Sequence, residues 1–258
     1  PSSGIRASEL DSVAYISAYD KFAQGQNQAA YNALVKYLKR FPDGYFAADA
    51  NFQTAESARM SGQMANALPY YRNVVRQPVG SNTVSAYKWL LRDAEQRKDG
   101  NETKRYAERL LALAEDASLR SEANRAMMRA HFAEGAEDVA LTYAEGIVAD
   151  LRQSPEDRSE AFAVRLRVLE SKYRAQPADS VRLGLWKQAA EDAVAEASVG
   201  IQAEAMYAKA IILRIRGQYT ASSEAVFALL DNYPGQQEWR FKALLVLARN
   251  YASLNDGF

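Results

Sequence analysis

The sequence predicts an all-α fold, an α-solenoid of antiparallel helix-turn-helix hairpins. Three observations carry that expectation. Apolar residues recur at helical spacing along nearly the whole chain, and no stretch alternates apolar and polar for more than a few residues. Gly or Pro interrupts the helical pattern at short, regular intervals.

The elements can be followed in order. Ala30, Leu34, Tyr37, Leu38 and Phe41 form one apolar helical face, Tyr106, Leu110 and Leu113 another, and Phe162, Leu166, Leu169 and Tyr173 a third. Breaks are expected at Gly25, at Pro42-Asp43-Gly44, at Gly62, at Pro78-Val79-Gly80 and at Asp99-Gly100. Others follow at Gly135, Ser154-Pro155, Gln176-Pro177, Gly217 and Pro234-Gly235. Ser154-Pro155-Glu156-Asp157 joins an N-cap, a first-turn proline and acidic residues at the positive end of a helix. Gly25 to Pro42 and Gly217 to Pro234 each span 17 residues, and Gly25 to Gly62 spans 37, a period that suits a helix-turn-helix unit. The count is six hairpins plus an unpaired last helix from Trp239 to Leu254, a single array over residues 1–258.

Composition bounds the function. At 258 residues the chain is longer than one compact core usually holds, and its 48% apolar content can bury a substantial interior. Lys+Arg and Asp+Glu stand at 32 each, which argues against a nucleic-acid surface. No cysteine is present, so disulfide frameworks, zinc-thiolate clusters and thiol nucleophiles are excluded. No apolar run is long enough for a membrane span.

The repeat resembles the tetratricopeptide repeat. Gly25, Ala30, Leu34 and Pro42 match its small residue, helix-contact alanine, large residue and terminal proline, as do Gly62, Ala67, Tyr71 and Pro78. Gly135, Ala140 and Ala144 give a third match, and Gly217, Ser222, Val226 and Pro234 a fourth, with Ser in place of Ala. Small residues are needed where crossing helices approach closely. Around Asp99-Gly100 the register puts Lys104 or Arg105 where the small residue belongs, and the pair spanning 156–197 lacks the Gly/Ala signature. The resemblance implies a right-handed superhelix that binds protein or peptide partners along a concave groove, with no cofactor and no metal.

Chemistry-bearing patterns are thin. His131 is the single histidine, and His131 with Glu134 makes no ligand set or triad. Neither a G-x-G-x-x-G nor a G-x-x-x-x-G-K-[ST] phosphate loop occurs. A non-catalytic role is expected. Carrying over the family's register, the groove-lining positions are Tyr15 and Tyr19; then Phe52, Glu56 and Arg59; then Trp89; then Arg125, Arg129 and Phe132; and finally Tyr207 and Arg214. Aromatic residues and arginines dominate interface energetics. Arg125 and Arg129, one turn apart, could grip an acidic segment. Tyr15 and Tyr19 stand where chaperone-binding repeats carry their carboxylate clamp, so that clamp is not expected.

Phe41-Pro42-Asp43-Gly44-Tyr45-Phe46, continuing to Phe52, resembles a junction of bacterial envelope repeat proteins of the Tol-Pal-associated and outer-membrane-assembly lipoprotein types. Asn232-Tyr233-Pro234 with Trp239 and Ala243 echoes it, and Pro1-Ser2-Ser3 could be a third copy. The resemblance implies a periplasmic or outer-membrane-associated scaffold, a segment of a longer protein. A cytoplasmic adaptor and a superhelix appended to a peptidoglycan-acting enzyme are the alternatives.

Overall fold

The computed structural model describes residues 7–254; the Pro1-Ser2-Ser3 junction copy lies outside them. Thirteen α-helices and no strand occur among the described residues. In chain order they are α1 (Ala7–Ala23), α2 (Asn27–Arg40), α3 (Ala47–Met60), α4 (Met64–Arg76), α5 (Thr83–Gln96) and α6 (Gly100–Leu113). Then come α7 (Ala117–Ala133), α8 (Glu137–Ala149), α9 (Pro155–Ala175), α10 (Ser180–Glu196), α11 (Val199–Ile215), α12 (Tyr219–Asn232) and α13 (Gln237–Ser253). No helix is long and apolar enough to cross a membrane among the described residues. The chain divides into two compact units, Pro1–Ala126 and Met127–Phe258.

In unit 1, neighbours in sequence pack together from α1 through α6, and α1 also reaches α3. In unit 2, α8 through α13 pack the same way, and α9 reaches α11 as α11 reaches α13. Within each unit, then, successive helices fold back on one another, and α1 lies beside α3 in unit 1 as α9 lies beside α11 and α11 beside α13 in unit 2. This is the packing of tetratricopeptide-like hairpins.

One backbone device closes most hairpins. Gly25, Gly62, Gly135 and Gly217 take φ of 70°, 74°, 78° and 71°, the left-handed conformation in which a Cβ is unfavourable. The next residue's N–H then reaches back five residues: Gln26 to Lys21, Gln63 to Ala58 and Ala136 to His131 at 2.9 Å, and Gln218 to Leu213 at 3.0 Å. Five residues after each glycine a small residue is fully buried: Ala30, Ala67, Ala140 and Ser222.

The hairpin of α5 and α6 corrects the sequence expectation. Its left-handed residue is Lys98, at φ 57°, with the Asp99 N–H bonded to the Ala94 carbonyl at 2.9 Å. Counting from Lys98 rather than Gly100 places Thr103, not Lys104 or Arg105, in the buried small-residue position. Asp99 is the N-cap of α6 and accepts from the Glu102 N–H at 3.0 Å.

The hairpin of α9 and α10 uses other means. Ser154 caps α9 by accepting from the Asp157 N–H at 3.1 Å, and Asp179 caps α10 by accepting from Val181 and Arg182 at 2.9 and 3.1 Å. Phe162, Leu166, Leu169 and Tyr173 form the predicted buried stripe. They pack around Trp186, which stacks on Tyr173 with ring centroids 5.6 Å apart. A large aromatic joint, with Ala189, Ala190 and Ala193 beside it, replaces the Gly/Ala signature here.

The Phe41–Phe52 junction is built around a buried carboxylate. Asp11 of α1 accepts from the Tyr37 hydroxyl at 2.5 Å and from the Tyr45 N–H at 2.8 Å. A Cβ at Gly44 would sit 2.7 Å from that hydroxyl and 2.9 Å from the carboxylate, so the loop must pass here without a side chain.

Candidate interaction face

The expected groove residues fall on odd-numbered helices, and each unit presents its own set.

In unit 1, Glu56 of α3 is buried and accepts a short hydrogen bond from the Tyr71 hydroxyl of α4. It also holds Arg59 one turn along, with Nη2 2.5 Å and Nε 3.2 Å from Oε2. That ion pair aims the Arg59 guanidinium over the ring of Trp89 on α5, 4.4 Å from its centroid. Arg92 covers the same ring at 5.0 Å, and the Lys88 ammonium lies 5.4 Å away. Arg92 is fixed in turn by two bonds to Glu122 of α7, at 2.5 and 2.8 Å. A half-buried indole is thus flanked by three cations, two of which, Arg59 and Arg92, are held in place by carboxylates. Burial first, and the bond to Glu56 second, push the Tyr71 phenol well above its ordinary value. The bond to Glu56 raises the Arg59 guanidinium too, so this side chain stays charged.

The remaining expected residues of unit 1 divide by burial. Tyr15 belongs to the core: its ring lies parallel to Phe46 with centroids 4.3 Å apart, and its hydroxyl accepts from Gln53 at 2.7 Å. Tyr19, stacked 5.9 Å from Tyr15, is exposed. Phe52 is half-buried, with its ring 6.3 Å from Tyr71. Arg125 is half-buried on α7.

Unit 2 uses its arginines as braces between odd-numbered helices. Arg129 of α7 forms two bonds to Glu160 of α9, both at 2.6 Å. Arg167 of α9 does the same to the buried Glu204 of α11, at 2.7 and 2.8 Å. Arg214 of α11 donates to Asn250 of α13 at 2.9 Å and lies over the Tyr219 ring at 5.3 Å. Phe132 packs on the core formed by α7, α8 and α9, and Tyr207 leans on Trp239 with centroids 5.6 Å apart. His131 lies 2.9 Å from Glu134 and stacks on Tyr143, so its ring is engaged in packing.

Sequence reasoning missed Arg92, Lys88, Glu122, Arg167, Glu160 and Glu204. The ion pairs Arg92–Glu122, Arg129–Glu160 and Arg167–Glu204 join residues 30 to 37 positions apart, and nothing local to either partner marks such a pair.

No protein-family model matches the chain, and no curated protein sequence matches it either. Among solved structures, a tetratricopeptide repeat protein from Parabacteroides merdae is similar at 10% identity and a TM-score of 0.46, over 91% of this chain and 98% of its own. PilW, a type IV pilus biogenesis factor, is similar at 17% identity and a TM-score of 0.45, over 90% of this chain and 98% of its own.

Proposed function

We propose that this chain is a non-catalytic scaffold that binds protein segments on the face of its odd-numbered helices, with Trp89 as the principal anchor in unit 1. The single observation that supports this most is the half-buried indole between the Arg59 and Arg92 guanidiniums. Trp and Arg are the side chains that most often dominate interface energy, above all when they are held in place before a partner arrives. Here Glu56 and Glu122 hold the two arginines, so little side-chain entropy remains to be lost on binding. Three cations against two carboxylates leave this patch one positive charge in excess, suiting a partner with an apolar residue flanked by acidic ones. Tyr19, Phe52 and Arg125 extend the same surface. In unit 2, Arg129, Phe132, Tyr207 and Arg214 contribute after their bracing contacts are met.

The junction from Phe41 to Phe52 supports placing the scaffold in a bacterial envelope, and fractionation of the native protein tests that placement separately. For binding itself, the test is a crosslinking pull-down from native cells with wild type, Arg92→Glu and Trp89→Ala. Wild type should capture a protein that both variants lose while their helical circular dichroism stays intact. Retention of every partner by both folded variants would sink the assignment.

A further inference from the structure

Unit 1 contains a cleft that the interaction face does not use. It has a volume of about 460 Å³ and lies between α4 and α6, both even-numbered helices. Arg72 and Arg76 stand one turn apart on α4, and Arg105 and Arg109 one turn apart on α6. Glu102 is the only carboxylate in the lining, so four guanidiniums against one carboxylate leave three net positive charges.

That one carboxylate is heavily shared. Glu102 accepts from Arg97 at 2.5 Å and Arg105 at 2.9 Å, takes the Tyr106 hydroxyl at 3.2 Å, and lies 3.9 Å from Arg72. Arg76 and Arg109 have no carboxylate partner among the described residues. Like charges gathered in a recess repel one another, and an anion entering between them relieves that repulsion. Tyr87 and Tyr106, with ring centroids 6.1 Å apart, add an aromatic wall.

From this arrangement we infer that the α4–α6 cleft is a binding site for a phosphate-bearing small molecule. Guanidinium forks match phosphoryl oxygens two at a time, and i,i+4 pairs on opposite walls can engage one group from both sides. A phosphoryl group, at about −1.5 to −2, answers more of the three-charge excess than a single carboxylate, and a diphosphate can answer all of it. The volume lies in the range of small-molecule sites, and the Tyr87 ring offers a surface for a planar portion of the ligand. The inference does not rest on the Trp89 face, and either can fail alone.

Calorimetric titration at low ionic strength tests it, with pyrophosphate, ADP, sulfate and a Glu-rich peptide as probes. Wild type should bind pyrophosphate and ADP saturably at sub-millimolar concentration and sulfate far more weakly. Arg76→Gln/Arg109→Gln, two exposed positions whose loss should leave circular dichroism unchanged, should weaken pyrophosphate by about tenfold or more. Glu102→Gln, which removes the competing carboxylate, should tighten it several-fold, a direction that a merely structural role for Glu102 would not give. The proposal is overturned by no saturable pyrophosphate binding, by sulfate binding equally well, or by unchanged affinity in the double glutamine variant. Binding of the peptide alone would also overturn it, in favour of a protein ligand.

Discussion

Lys98 and Gly62 do the same job at equivalent turns with unequal ease. Both adopt left-handed backbone, at φ 57° and 74°, and both allow the following N–H to close the helix end. A β-carbon makes that conformation costly by roughly 1–2 kcal/mol, and glycine escapes the cost. No atom lies within 4 Å of a Cβ built on Gly62, so backbone conformation alone decides the outcome there. Lys98→Gly should therefore stabilise the protein by about 0.5–1 kcal/mol, and Gly62→Ala should destabilise it by about 1 kcal/mol. Chemical denaturation of both variants checks the pair of signs. The turn glycines were readable in the sequence because only glycine takes this conformation freely. Lys98 was not, since its identity gives no hint of its φ, and that single residue displaced the expected register of one hairpin.

Among whole elements, the joints between helices are of two kinds, and they respond differently to substitution. The α9–α10 joint is apolar, with Trp186 fully buried and its indole N–H lacking a hydrogen-bond partner among the described residues. Removing the ring leaves a large cavity, so Trp186→Ala should cost about 3–5 kcal/mol. Trp186→Phe also removes the unsatisfied donor, which offsets part of the lost contact, and should cost about 1–2 kcal/mol. Thermal melts of the two variants measure the difference. The joint of α11, α12 and α13 adds a polar network to its apolar core: Asn250 donates to Ser222 at 2.8 Å and to Ser223 at 3.2 Å while accepting from Arg214 at 2.9 Å. Ser222 in turn donates to the Ala210 carbonyl at 2.7 Å. Asn250→Ala removes these three hydrogen bonds from a buried site and should cost about 2–3 kcal/mol. The periodicity of Phe162 to Tyr173 revealed the α9 stripe from the sequence alone. The Asn250 network was hidden because its partners come from two other helices.

Across the molecule, the charge balance of 32 and 32 conceals local excesses. Overall composition argued against a basic surface, yet the fold gathers four arginines into one cleft and three cations around one indole. Unit 1 also carries a distinct response to pH. Burial chiefly, aided by bonds to Asp11 and Glu56, raises the Tyr37 and Tyr71 phenols above their ordinary 10.0, and burial raises Tyr15 and Tyr70. The folded chain keeps these protons where the unfolded chain releases them. Their contribution to stability is therefore complete below pH 10 and falls as pH rises beyond it. Thermal unfolding of unit 1 should move to lower temperature between pH 9 and 11, with a shallower dependence in Tyr71→Phe. An equal dependence in wild type and variant would contradict that assignment.

The residues expected to line a groove fall on odd-numbered helices, in settings that the repeat register did not indicate. Tyr15 is core and Arg129 and Arg214 are braces, whereas Trp89 gains its half-buried, cation-flanked setting from Arg92 and Glu122 on other turns. The most direct test of the scaffold reading places a photo-crosslinking amino acid at position 89 in native cells, with position 79 as control. Val79 is exposed on the loop between α4 and α5. The account predicts a discrete crosslinked partner from position 89 that is absent from position 79 and lost when Arg92→Glu is added. Identical crosslinking from both positions, or a partner untouched by Arg92→Glu, would contradict it.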